Sequence, residues 1–219
     1  MSLRAALPVS RRGSVAALCA GIGALAAAGC GGSLFQSKVP PITVFMLAAA
    51  PGAGGATVAP LDAELAVLKP RVRTGLNTDR IAAYYPDRHL DYFAGASWSG
   101  PVDEVVQDLA VQVFHSAANL HNVSSAGSSF IEGYWLELEV EDFQAEYAPG
   151  GGVPIIAVRV RGRVGGTSDR RVLGQFEAVA RRPAADNRLG AIVEAYNQAA
   201  NAALVEIAGD TTAALSAGR

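Results

Sequence analysis

Tyr134-Trp135-Leu136-Glu137-Leu138-Glu139-Val140-Glu141-Asp142-Phe143-Gln144-Ala145-Glu146-Tyr147 is the stretch that decides the fold. Leu136, Leu138 and Val140 alternate with Glu137, Glu139 and Glu141; then Phe143, Ala145 and Tyr147 alternate in the opposite parity. A period of two belongs to a strand with one buried and one solvated face. The change of parity places a bulge near Glu141-Asp142, where one extra residue must be accommodated. Downstream, Pro149-Gly150-Gly151-Gly152 reads as a turn, after which Ile156, Val158 and Val160 alternate with Arg159, Arg161 and Arg163. Gly165-Gly166 turns the chain into a third strand, Val172 to Ala180, with Phe176 and Ala178 on the inward side. Three strands joined this way form an antiparallel meander, on whose wet face glutamates of one strand stand opposite arginines of the next. Alternating carboxylates alone would raise the question of a metal; matched by arginines, they are expected to form a charged sheet face, and no metal site is assigned.

The sheet needs a cover, and two helical patterns supply it. Val102, Val105, Val106, Leu109, Ala110, Val113 and Ala117 recur at helical spacing, with Pro101 suited to the first turn and Asp103 and Glu104 placed to complement the helix dipole. A second pattern runs from Asp186, a candidate cap, through Leu189, Ile192, Val193, Tyr196, Ala200, Ala203, Leu204 and Ile207, while Glu194, Asn197, Asn201 and Glu206 are expected to point away. Upstream, Thr43 to Leu47 reads as a short strand, Pro51 to Pro60 as a small-residue loop, and Leu65 to Leu68 as a strand stopped by Pro70. Arg80 to Tyr85 and His89 to Phe93 flank Pro86-Asp87-Arg88 and read as a hairpin. The expected class is α/β, a mixed and largely antiparallel sheet with two amphipathic helices packed on it, in a single domain over residues 42–219.

The first 29 residues read differently. Arg4, Arg11 and Arg12 precede an apolar run from Val15 to Ala28 with no Asp or Glu, the layout of an export signal. The run is short and rich in Ala and Gly against the roughly 20 strongly apolar residues that a membrane span takes, so cleavage is expected. Leu25-Ala26-Ala27-Ala28-Gly29-Cys30 resembles the lipobox of bacterial lipoproteins, with Ala27 where Leu is usual. That resemblance implies cleavage before Cys30, acyl chains on Cys30, and residues 30–41 as a tether. At about 3.3 Å per residue, the tether would hold the domain roughly 30 Å from a membrane. Of the two cysteines, only Cys30 survives cleavage, so the mature domain has no disulfide and rests on its core. It carries 15 basic residues against 20 acidic ones, which argues against nucleic acid as a partner. With no basic amphipathic helix in evidence, membrane contact is expected through the acyl chains.

No catalytic pattern is complete in the sequence. Gly95-Ala96-Ser97-Trp98-Ser99-Gly100 comes near a nucleophile elbow, but its second glycine is displaced by one residue; it is expected to be a loop entering the first helix. His89, His115 and His121 are too scattered for a zinc motif. Gly52-Ala53-Gly54-Gly55-Ala56-Thr57 lacks the lysine of a phosphate loop. No catalytic residue, metal or cofactor is expected.

Taken in order, Asp79-Arg80-Ile81, Tyr84, Leu90-Asp91-Tyr92-Phe93-Ala94, Trp98, Pro101 and the helix after it, with Thr43 to Leu47 before them and Val193, Asn197 and Leu204 after, resemble the auxiliary lipoproteins of ABC-type transport systems. These include the outer-membrane lipoprotein of the paraquat-inducible system. The resemblance implies a mixed-sheet α/β domain and an accessory subunit, not an enzyme. It also implies a place at the outer membrane facing the periplasm, and partners in an ABC permease, an ATPase and a mammalian-cell-entry type substrate-binding protein that move lipids. A homo-oligomer is left open. Tyr85, Arg88, Tyr92 and Trp98, on the aromatic hairpin and its flanking loops, are the candidate partner-binding residues, because loops on a rigid sheet vary without harm to the core. The rival is a small periplasmic lipid-binding carrier, which would need a closed apolar cavity.

Overall fold

The computed structural model describes residues 41–51, 61–118, 120–125, 133–168 and 170–218. The signal segment, Cys30, the tether up to Pro40 and the glycine loop at 52–60 lie outside them. In chain order come β1 (Thr43–Phe45), β2 (Leu61–Val67), β3 (Arg71–Val72), β4 (Arg80–Tyr84), β5 (Leu90–Trp98), α1 (Val102–Ala117), β6 (Leu120–Ser125), β7 (Tyr134–Glu146), β8 (Ile155–Gly166), β9 (Val172–Pro183) and α2 (Leu189–Ala217).

β7 is the axis of one mixed sheet. Along one edge it pairs antiparallel with β8 from Tyr134↔Gly166 to Glu146↔Ile155, with the register shift falling between Val140 and Asp142, where the parity change placed the bulge. β9 continues the meander beyond β8. The other edge of β7 is shared along its length by three strands, all parallel to it: β2 at Tyr134–Leu136, β3 at Glu139–Val140 and β4 at Ala145–Glu146. Beyond β2 lies β6, parallel; beyond β4 lie β5, antiparallel, and β1, parallel to β5. The architecture is α/β with an open sheet, and its long ladders are the antiparallel ones.

Both helices bury their apolar stripes in a common core with Leu136, Leu138, Val140, Ile156, Val158 and Val160. At its centre Trp98, Phe143 and Tyr196 meet at centroid distances of 5.8, 5.2 and 5.2 Å, and the Tyr196 hydroxyl donates to the Ala82 carbonyl at 2.7 Å. A tyrosine buried this deeply keeps its proton, because burial pushes its pKa well above the ordinary value.

Several expectations change. β2 starts at Leu61 instead of Leu65, and β3 and β6 are additional. β9 runs on past Ala180 to Pro183, at the end of an edge strand, a place where a sheet tolerates proline. Asp186 does not cap α2: the residue before the helix is Arg188, whose backbone N–H and guanidinium donate to the Asp186 carboxylate. The start of α1 is secured from a distant loop, the Asp103 N–H donating to Asn77 Oδ1 at 3.1 Å and Asn77 Nδ2 donating back to the Asp103 carboxylate. Asn201 does not face solvent. It is buried, accepts from the Ala50 N–H at 2.8 Å and donates to the Ala48 carbonyl at 2.9 Å, while Asn197 accepts from the Ala48 N–H and Gln112 from the Ala49 N–H. Amide side chains of both helices therefore strap down the extended chain that follows β1.

Candidate docking site

The β4–β5 hairpin ends in a tight turn in which the Arg88 N–H donates to the Tyr85 carbonyl at 3.0 Å and the Tyr85 N–H to the His89 carbonyl at 3.1 Å. Arg88 takes φ 68°, a left-handed conformation uncommon for a residue with a Cβ, and its side chain is exposed at the tip. The Tyr85 ring lies flat between His89, at 4.6 Å and 8°, and Tyr147, at 5.1 Å and 6°. Asp87 accepts from the His89 ring at 2.5 Å, and this bond holds the Asp87 carboxyl below its ordinary pKa. Tyr147 donates to Asn187 at 2.8 Å, and its pKa is raised by partial burial and then by Tyr85. The tip is a stacked aromatic rib with a cation and an anion at its end.

Tyr92 sits lower on the hairpin and is half-buried. Its hydroxyl donates to the Gly75 carbonyl at 2.7 Å, and the Arg80 guanidinium lies 4.0 Å from its ring centroid, within cation–π range. Trp98 does not join this surface. Only 2 % exposed, it packs on Phe143 and Tyr196 beneath the sheet, so it supports the hairpin and offers nothing to a partner. The expected loop over Gly95–Gly100 is likewise a strand as far as Trp98. Between Arg80↔Ser97 and Ala82↔Tyr92 the β4–β5 register shifts, and Gly95 at φ 69° takes up the extra length, a bulge whose composition imitates a loop. Ser97 lies within that strand, paired with Val44 and Arg80, and not in the turn at residues 99–101 that joins β5 to α1.

A second feature escaped the sequence. Ile42, Val44 and Met46 are 60, 59 and 75 % exposed, a row of apolar side chains on the edge strand β1 and its flanks. The alternation was visible, but a strand of three residues does not reveal which of its faces is covered.

Residues 45–208 match the family described as the ABC-type transport auxiliary lipoprotein component. The chain belongs to this family. Among solved structures, protein XCC0632 from Xanthomonas campestris aligns at 21 % identity with a TM-score of 0.71, covering 80 % of this chain and 98 % of that one. An uncharacterized protein aligns at 12 % identity with a TM-score of 0.60, covering 77 % and 97 %. At these identities the likeness is one of fold. No curated protein matches the chain. Among the described residues no helix is long and apolar enough to cross a membrane, and no group of three or more His, Cys, Asp or Glu side chains is placed to hold a metal.

Proposed function

We propose that this auxiliary lipoprotein is held by acyl chains on Cys30 to the outer membrane, facing the periplasm, and serves an ABC-type lipid transport system by binding a mammalian-cell-entry type partner without turnover of its own. The observation that carries the reading is the family match, which runs from the last residue of β1 to two-thirds of the way along α2, so it covers the folded domain and not an appended segment. Two features support it. The rib of half-buried Tyr85 and exposed His89, with exposed Arg88 at its end, has the aromatic and arginine chemistry enriched where proteins meet. The space between sheet and helices is filled by Trp98, Phe143 and Tyr196, which weighs against the lipid-carrier alternative.

The test has two arms. Full-length protein should sediment with membranes through a high-salt wash, and the Cys30→Ser form should be released. The released protein should capture the mammalian-cell-entry type protein of the same organism, and Tyr85→Ala and Arg88→Ala should each weaken capture about tenfold while leaving the circular dichroism spectrum unchanged. Failure to bind any component of an envelope transport system, together with a hydrolase activity abolished by Ser97→Ala, would overturn the reading in favour of an enzyme.

A further inference from the structure

The charged outer face of the meander stops at one end, where β2, β7 and β8 come together. Trp135 continues the outward parity of Glu137 and Glu139, so its indole lies on the solvent side, half-buried, where the pattern would place another charge. It stands in register with Ala66 on one side and Gly165 on the other.

The indole is held there. A Cβ on Gly165 would lie 2.3 Å from the six-membered ring of Trp135 and 2.6 Å from the Arg171 carbonyl, so the ring rests flat on a position that only glycine leaves open. Its Nε1 donates to the Gly166 carbonyl at 3.1 Å, and the Arg163 guanidinium stands over the ring at 5.6 Å. Trp135 is thus fixed from beneath, from its polar edge and from the side.

An open groove of about 590 Å³ runs over this ring, floored by Ala66, Leu68 and Trp135 and edged by Arg163, Thr167 and Arg170. That volume is typical of small-ligand sites. Glu137 also borders the groove, but Arg71 at 3.2 Å and Arg163 both pair with it. Along the rest of the outer face Arg71, Arg73, Arg159, Arg161 and Arg181 are all ion-paired. Arg170 makes no ion pair among the described residues. It takes φ 55° in the turn that the Gly166 N–H to Arg171 carbonyl bond closes, and with Arg88 it is one of two non-glycine residues with positive φ among those described. Arg170 thus borders the apolar floor with a guanidinium that no acid among the described residues pairs.

We propose that this groove binds a small anionic amphiphile, with its apolar chain over Trp135, Ala66 and Leu68 and its phosphate or carboxylate head at Arg170 and Thr167. The apolar floor gives no reason to select a free anion, and the arginines give none to select a neutral chain; the two together select a molecule with both parts. The site is separate from the hairpin tip and does not depend on the partner proposed there.

Trp135 is its own reporter, since the only other tryptophan, Trp98, is buried. The full chain carrying Cys30→Ser is titrated below the critical micelle concentration with dodecyl phosphate, dodecanoate, dodecyl maltoside and inorganic phosphate, following tryptophan emission. A saturable blue shift with dodecyl phosphate or dodecanoate is expected, and whichever binds more tightly names the head group. Dodecyl maltoside should bind at least about tenfold more weakly, as expected for loss of a charged hydrogen bond, and inorganic phosphate should give no shift. Arg170→Gln should weaken the anionic probes about tenfold and leave dodecyl maltoside unchanged, while Leu68→Gln should weaken all three amphiphiles. Equal response to charged and neutral amphiphiles, indifference to Arg170→Gln, or no saturable shift would overturn the proposal. So would a Trp135 shift produced by the mammalian-cell-entry type protein and by none of the amphiphiles, which would assign the groove to a protein contact.

Discussion

The two faces of β7, β8 and β9 are made from alternate residues of the same strands, yet they do opposite things. Beneath the helices, Leu136, Leu138, Val140, Phe143, Ile156 and Val158 are removed from water with no polar partner to satisfy. On the other side Glu137, Glu139, Glu141, Asp142, Glu146 and Glu177 meet Arg71, Arg73, Arg159, Arg161, Arg163 and Arg181 in pairs shared across these three strands and β3 with the residue after it. Six acids stand against six bases, so the face is charged but balanced. Burial scales with the area removed from water and cavities add to the cost of losing it, whereas exposed ion pairs are screened by water and salt. Stability therefore resides on one face, and the other is free to carry recognition at its ends: the stacked hairpin tip on one side and the Trp135 groove on the other.

The sharpest way to break this comparison is to cut into the inner face. Phe143 is buried and touches both Trp98 and Tyr196. Phe143→Ala should cost about 3–5 kcal/mol of unfolding free energy in urea and lower the melting temperature by about 10 °C. A loss below about 1 kcal/mol would show that the helices do not depend on this cluster. A smaller cut at the same place removes one atom: Tyr196→Phe deletes the 2.7 Å bond to the Ala82 carbonyl inside the core, for about 1–2 kcal/mol. If the variant were as stable as the parent, the hydroxyl would be present for some purpose other than packing.

The same contrast explains what the sequence made legible. The meander was readable in its pairing and parity because its ladders are long and antiparallel and each strand has one wet face, so parity reports burial directly, and the bulge at Glu141-Asp142 announced itself as a change of parity. Its ends were not readable, since Gly165-Gly166, read as a turn, belong to β8, and β9 runs past Ala180 to Pro183. The edge of β7 shared by β2, β3 and β4 was not, because its parallel partners are short and their pairings lie far apart in the chain. Ala66 is buried on the outer face by Trp135, so β2 shows no alternation to read.

The helices failed where polar residues work inward. Asn201 looks like a solvent-facing residue until its amide is seen to replace a strand partner for Ala48 and Ala50. The second helical pattern reaches only Ile207, short of Gly209-Asp210-Thr211-Thr212, whose helical propensity is low. α2 nevertheless continues to Ala217, with Thr211 buried and Thr212 donating to the Ala208 and Ala118 carbonyls at 2.8 and 3.1 Å. Of the candidate contact residues, Tyr85, Arg88 and Tyr92 lie on the hairpin surface. Trp98 had the right composition and the wrong face.

The smallest effect is expected on the outer face, and it sharpens the comparison by separating charge from stability. Arg161 pairs with Glu141 at 2.5 Å and with Glu177 at 3.1 Å, and both arms are exposed enough for water to take over. Arg161→Gln should therefore move the melting temperature by less than about 2 °C, and a collapse would mean that the arginine is structurally buried. The same substitution should still be visible as a titration. The Glu177 carboxyl is held below its ordinary 4.5 first by its hydrogen bond from Arg161 and then by Arg159. Because its folded pKa is depressed, the stability it contributes is present above about pH 4.5 and is lost as the pH falls through the folded value. In the Arg161→Gln protein the carboxyl should titrate closer to its ordinary value, so an NMR titration should show Glu177 protonating at higher pH in the variant than in the parent, with the gap narrowing in high salt as the attraction to Arg161 in the parent is screened. Identical titrations in the two proteins would place the grip on Glu177 with Arg159 alone, and the outer face would then be a set of separate pairs instead of a shared lattice.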